Sequence, residues 1–478
     1  MLNPFKKYTA IIILGLSLIY QGCKTPALVQ APSVKAAPAN FESVSDTAGS
    51  GVVQWRSFFT DHYLQQLIDT ALHNNQELSI ILQEIEIARN EIRIQHGRLL
   101  PTVEAGGGIG VEKVGRYTSQ GAGDASADIT PGKEVPEWLP DYRLGISASW
   151  EVDIWKKLRN SQQAAADRYL ATVEGRNFVV TNLVAEIVNA YYELLALDNQ
   201  LNIVRQTIKL QQNALDIVRI QKQAAAATEL AVKKFEAEVL SSQNLEYDIL
   251  QKIKEKENAI NLMLGRYPQP IQREQTAFLT LQPAQVSAGI PSQLLQNRPD
   301  IRQAELELAA SKLDVAVAKA EFYPQFSISG GLGFQAFNPT YLVKFPESML
   351  FSLAGDLAGP LINKNAIKAE YYNANARQIQ AVYNYERSIL NGYIEVATGL
   401  SNLGNFTKQY ELKAKEVDTL VASVDIAGEL FKSARADYLE VLLTQRDALE
   451  SKMELIETKL KQFNAVTGIY RSLGGGWK

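Results

Sequence analysis

The segment YRLGISASWEVDIWKK, from Tyr142 to Lys157, changes its period part-way along. Tyr142, Leu144, Ile146, Ala148, Trp150 and Val152 would share one face of a strand, and Arg143, Gly145, Ser147, Ser149, Glu151 and Asp153 the other. After Trp155 follows a polar, alanine-rich stretch of roughly 70 residues with no proline, which predicts a helix of about 100 Å. That is about three times the thickness of a bilayer core. Any fold for this chain must therefore let a strand with one wholly apolar face feed directly into a very long polar helix.

The pattern occurs twice. NNQELSIILQEIEIARNEIRIQHGRLLPTVEAGGGIG from Asn74 aligns with NRPDIRQAELELAASKLDVAVAKAEFYPQFSISGGLG from Asn297. Leu78 then falls on Ile301, Pro101 on Pro324, and Gly107, Gly108 and Gly110 on Gly330, Gly331 and Gly333. Further on, EIVNAYYEL (Glu186 to Leu194) aligns with EVATGLSNL (Glu395 to Leu403), the intervening loop being longer in the first half. The chain reads as one unit used twice, each with helix, strand, loop, strand, long helix, turn and long helix.

The predicted strands lie near residues 102–111, 142–153, 325–334 and 349–359. Val103, Ala105, Ile109 and Val111 share a face, as do Phe326, Ile328, Leu332 and Phe334, and Met349, Phe351, Leu353 and Leu357. Their opposite faces are small and polar. The glycine runs alternate within strands and open no helix, so they do not fit a phosphate-binding loop. A soluble sandwich strand would alternate too, but the lengths match transmembrane β-strands. Long polar loops join the strands at one end, and aromatics such as Trp138, Tyr142, Trp150, Tyr323, Phe337 and Phe351 lie towards the ends. Four strands cannot close a barrel, and lipid tolerates no open edge. Three copies would give twelve strands, an even number within the known range.

Chemistry finds little support. The three histidines, His62, His73 and His96, lie within the first hundred residues, and one cysteine excludes a disulfide within the chain or a Cys/His metal cluster. No serine sits in a nucleophile elbow. The expectation is no enzyme, no metal and no cofactor. A net charge of −4 gives no nucleic-acid surface.

Residues 1–22 read as a signal peptide: Lys6 and Lys7 precede an apolar run from Ala10 to Tyr20, too short to span a bilayer comfortably. IYQGC then resembles a bacterial lipoprotein cleavage site, with Cys23 as the acylated mature N-terminus, although Tyr20 and Gln21 are unusual there. An ordinary signal peptide with a chance cysteine is the other reading. Residues 23–54 would be a lipidated N-terminus and Pro/Ala-rich extended tether. The first repeat then covers 55–280, with a helical hairpin at 155–264, and the second covers 281–478, with a hairpin at 362–467. Leu194, Leu197, Leu201, Val204, Ile208, Leu215 and Val218 follow three–four spacing, as do Val417, Leu420, Val424, Ala427 and Phe431. QKQAAAATEL and KSARADYLEV mark the turns.

SWEVDIW (Ser149 to Trp155), NRPDIRQAE (Asn297 to Glu305) followed by AEFYPQFSISGGLG, and ADYLEVLLTQRDAL (Ala436 to Leu449) together resemble the TolC/OprM family of outer-membrane efflux proteins, particularly its lipoprotein branch serving resistance-nodulation-division pumps. The resemblance covers nearly everything after Cys23. It implies an α+β membrane protein: a homotrimeric twelve-stranded transmembrane β-barrel, four strands per chain, continued by a long periplasmic α-helical barrel. It implies a passive exit duct for small molecules, docked to a periplasmic adaptor (membrane fusion) protein and an inner-membrane pump, and anchored in outer-membrane lipid. By position, Arg435, Asp437 and Tyr438 lie near the periplasmic constriction that the adaptor meets.

Two departures touch this pattern. Lys156 stands where members often carry the glycine of AxWxxDxxGR, and Ala434 stands where the tip often has one. Two further readings remain beside the efflux duct: an outer-membrane component for type I protein secretion, and a non-conducting trimeric coiled-coil protein of the envelope. Inward strand positions rich in Gly, Ser and Ala suit a wet lumen better than a filled core.

Overall fold

The computed structural model describes residues 25–35, 38, 41, 53–274, 278–433 and 435–477. After short helices at Trp55–Phe58 and His62–Asn74, the principal elements are α1 (Gln76–Gly97), β1 (Thr102–Glu112), β2 (Leu139–Val152), α2 (Lys157–Gln223), α3 (Glu229–Met263), α4 (Pro299–Ala320), β3 (Gln325–Ala336), β4 (Met349–Ala358), α5 (Asn365–Lys432) and α6 (Tyr438–Ser472). The order from α1 to α3 recurs from α4 to α6.

Two compact units divide the chain. The first takes in Ile87–Tyr169 and Glu307–Val382 with residues 25–32; the second takes in Ser33–Glu86, Leu170–Leu306 and Tyr383–Lys478.

In the first unit the four long strands form one antiparallel sheet in the order β1-β2-β3-β4. Register pairs Ala105 with Ile146, Ile146 with Leu332, and Leu332 with Phe351, so one row of apolar side chains crosses all four strands. That face stays open: Ile109 is 83 % exposed and Leu353 82 %. Strand β2 begins at Leu139, earlier than expected, and contains Pro140. Pro140 pairs only with Val111, because pairing with β3 starts at Tyr142, so the missing N–H costs no ladder bond on that side.

Gly145 and Gly333 face each other across β2 and β3. A Cβ on Gly333 would come within 2.6 Å of the Leu144 carbonyl oxygen, and one on Gly145 within 2.9 Å of the Leu332 oxygen. Close approach of two backbones, not only an open lumen, therefore requires glycine there. The loop between β1 and β2 is itself folded, with a helix at Ser119–Asp124 capped by Thr118, and an Arg116–Glu134 ion pair at 2.8 Å.

The second unit holds the main core, in which Leu64, Ile68, Ile187, Tyr191, Leu194 and Ile260 are fully buried. Arg273 is buried between Asp198, at 2.5 Å, and Glu257, at 2.9 Å. Burial alone would lower its pKa, but hydrogen bonds and charge from the two carboxylates hold it above its ordinary value. An apolar window of α2 is long enough by composition to cross a membrane, yet 61 % of it is buried within the protein, the mark of a core helix.

The NRPD motif ties down the chain end. Arg298 bonds Asp300 and Glu395 at 2.8 Å, and donates to the Ser472 carbonyl at 2.9 Å. Trp477 donates to the Asn297 carbonyl.

The Pro/Ala-rich residues are not simply a free tether. Leu28 packs beside Phe322 and Tyr371 in the first unit, and Phe41 in the second is 2 % exposed and stacked on Tyr393 at 5.2 Å. Composition promises an extended coil, but a few large apolar residues suffice to seat it.

Replacing Gly333 with valine is expected to prevent the heat-modifiable folded form on gels, whereas Gly108→Ser, which meets nothing within 4 Å, leaves its yield unchanged. Equal yields for both variants would refute the close-approach reading.

Candidate functional site

The strand-to-helix corner is built from five residues around Asp153. Helix α2 starts with unsatisfied N–H groups. The Asp153 carboxylate accepts from the N–H of Leu158 and of Arg159, both at 3.0 Å, and from the Arg159 side chain. Lys156 takes φ of 60°, folding the chain so that Asp153 reaches back over the first turn. This is the place where the sequence shows lysine for the expected glycine; the turn keeps its left-handed backbone and bears the strain. Burial would raise the Asp153 pKa, but the Arg159 and Leu158 N–H groups and the Arg159 charge hold it below its ordinary 3.8.

Neighbouring contacts fix the corner against the sheet. Trp155 stacks on Tyr323 at 4.8 Å and donates to the Pro324 carbonyl at 2.7 Å. Lys157 bridges Glu151 at 2.6 Å and Glu321 at 3.6 Å, and Trp150 donates to the Leu99 carbonyl. On the polar face near the loops, Asp141 accepts from Gln335 at 2.8 Å and pairs with Arg143 at 2.9 Å. Of these residues the sequence sets only Arg143 on the polar strand face. Their convergence depends on the register between β2 and β3.

The helix turns lie where the two quoted segments place them. At the end of α2, Ala226 donates to the Gln221 carbonyl at 2.8 Å, with Ala225 at φ 59°. Thr228 then caps α3. At the end of α5, the Arg435 N–H donates to the Leu430 carbonyl at 2.8 Å, and Asp437 is the N-cap of α6, its carboxylate 2.6 Å from the Tyr438 N–H. Arg435 and Asp437 are exposed, while Tyr438 packs on a cluster containing Val218, Phe235 and Val441. The structure thus gathers all three in one turn. Among the described residues, however, neither Arg435 nor Asp437 forms an ion pair. Cys23 and Ala434 lie outside the described residues. The three histidines are exposed, and no cluster of three or more His, Cys, Asp or Glu side chains among the described residues is arranged to hold a metal.

Against this geometry, the family model described as "Outer membrane efflux protein" matches residues 67–266 and 290–475, most of the chain. The chain belongs to the outer membrane efflux protein family. It resembles the pyoverdine export outer membrane protein OpmQ of Pseudomonas aeruginosa, 26 % identical over 98 % of this chain and 96 % of that one. It also resembles the toluene efflux pump outer membrane protein TtgI of Pseudomonas putida, 27 % identical over 98 % and 97 %. Its fold matches the open-state MtrE outer membrane channel of Neisseria gonorrhoeae with a TM-score of 0.81, at 23 % identity over 95 % of this chain and 99 % of that one.

As a member of this efflux family the protein is an outer membrane component of efflux, and the exposed apolar sheet face agrees with that setting. The relatives named for pyoverdine and for toluene are almost equally similar to it. Overall identity therefore does not single out a cargo.

Asp153→Ala is expected to lower unfolding stability by about 1–2 kcal/mol, because two helix N–H groups lose their acceptor. Lys156→Gly should raise it by about 1 kcal/mol. Since the Asp153 pKa is depressed, its contribution is complete well above pH 3.8 and disappears only as acid takes the pH through the lower folded value. Urea unfolding at neutral pH and near pH 3 checks both the sizes and the sign.

Proposed function

We propose that three copies of this chain close their sheets into a twelve-stranded barrel and form a passive duct through the outer membrane, continued in the periplasm by the long helices. The observation that carries this reading is the four-stranded sheet, apolar on one open face and, among the described residues, unpaired at both edges. In hydrocarbon such edges are tolerated only when another strand covers them. The apolar row then meets lipid, and the Gly, Ser and charged row faces water.

On this reading small molecules reach the duct from an inner-membrane pump of the resistance-nodulation-division type through a periplasmic adaptor protein. The duct performs no chemistry of its own and uses no cofactor; it supplies a polar path, and the pump supplies energy and choice of cargo. Residues Arg435, Asp437 and Tyr438 line the periplasmic end, where adaptor docking and opening occur. Exposed side chains in the turn between α5 and α6 suit that role, since Arg435 and Asp437 form no ion pair among the described residues and can meet charges on a neighbouring copy or an adaptor. Cys23 carries lipid and, with the packed residues around Leu28, holds the N-terminus near the membrane.

Single-channel recording in planar bilayers tests the duct. Wild type should show small, flickering conductance, and the Arg435→Ala/Asp437→Ala pair should raise it severalfold; unchanged conductance would remove these residues from the constriction. Labelled palmitate should enter wild type and be absent from Cys23→Ser, and equal labelling would place the lipid elsewhere.

A further inference from the structure

The three–four stripe of α2 runs Leu201, Val204, Ile208, Leu215 and Val218, and Gln211 fills the place it skips. Gln211 is fully buried, 0 % exposed, and neither Nε2 nor Oε1 meets a hydrogen-bonding partner among the described residues. On α6, Gln445 is 7 % exposed, and its Oε1 likewise has none. Gln445 borders a cleft of about 390 Å³ whose walls include Leu210 and Ala214 of α2 and Phe431 of α5. Leu210 and Ala214 neighbour Gln211 along α2, so both amides belong to the region where the α5–α6 hairpin meets the α2–α3 hairpin.

A buried amide without a partner bears its full desolvation cost. A polar residue in a coiled-coil seam is retained at the expense of stability, where it sets register or permits switching. Two of them at one junction, beside a cleft, mean that this packing is under-satisfied. Packed helices repack between discrete arrangements rather than deforming smoothly.

We propose that Gln211 and Gln445 are a release point between the two helical hairpins: they weaken the packed arrangement and become satisfied when the second hairpin moves, setting how readily the turn at 433–437 is displaced. The consequence for conduction rests on the duct reading above; the effect on packing does not.

The test uses the full-length protein in detergent and in bilayers, with Gln211→Leu/Gln445→Leu and the closer isostere Gln211→Met/Gln445→Met, which guards against misfolding of the first pair. Amide hydrogen exchange over residues 208–218 and 441–449 should slow severalfold, and the time spent in the highest conductance level should fall severalfold. Unchanged or faster exchange in a folded variant overturns the proposal, because the amides would then already be satisfied. Slower exchange with unchanged conductance also overturns it, leaving the glutamines a register role only. Slower exchange in a protein whose wild type never conducts supports the release point and removes the duct reading instead.

Discussion

Main-chain N–H and C=O groups in hydrocarbon have no water to bond, and each one left open costs several kcal/mol. Among the described residues the sheet of this protein leaves its β1 and β4 edges unpaired, and on the proposed reading both would lie in hydrocarbon. Its apolar row, from Ala105 through Ile146 and Leu332 to Phe351, is equally unsuited to water. The two demands are met together only when the apolar face meets lipid and the edges meet further strands. On the proposed reading a single chain is one part of a closed structure. The facing glycines at 145 and 333 belong to the same logic, since they let the two central strands approach without side chains between them.

Leaving the sheet poses the opposite problem, because α2 begins with free N–H groups just where the strand ends. Asp153 answers it by accepting two of those groups, and Lys156 accepts an unfavourable backbone angle so that Asp153 can. Trp155 and Lys157 then hold the corner to the start of β3 and the end of α4. A short stretch of sequence carries both the change of period and the means of stabilising it.

Much of this was legible before the structure. Strand faces followed from strict alternation, and the helices from long proline-free stripes; both agree with the observed elements to within a few residues. The start of β2 did not, because Pro140 looks like a breaker until the shorter reach of β3 is known. The seating of Phe41 was hidden, since a pocket formed by Leu294, Ile301 and Ile469 has no local signature. Arg298 stood out as part of a motif, but its role depends on a carbonyl at the far end of the chain. Sequence set Arg435, Asp437 and Tyr438 at the turn between α5 and α6 and expected them near a periplasmic constriction. It did not show that Asp437 spends its carboxylate on capping while Tyr438 packs inward. Gln211 was visible only as a gap in a stripe.

Closure by other copies is the claim on which the account turns, and mass tests it most directly. Light scattering of the purified protein in detergent, corrected for bound detergent, should give three chains per particle, each no heavier than about the 52.9 kDa of the full sequence. A stable, folded monomer would contradict the account, because four strands with two open edges would then persist in an apolar detergent belt without partners.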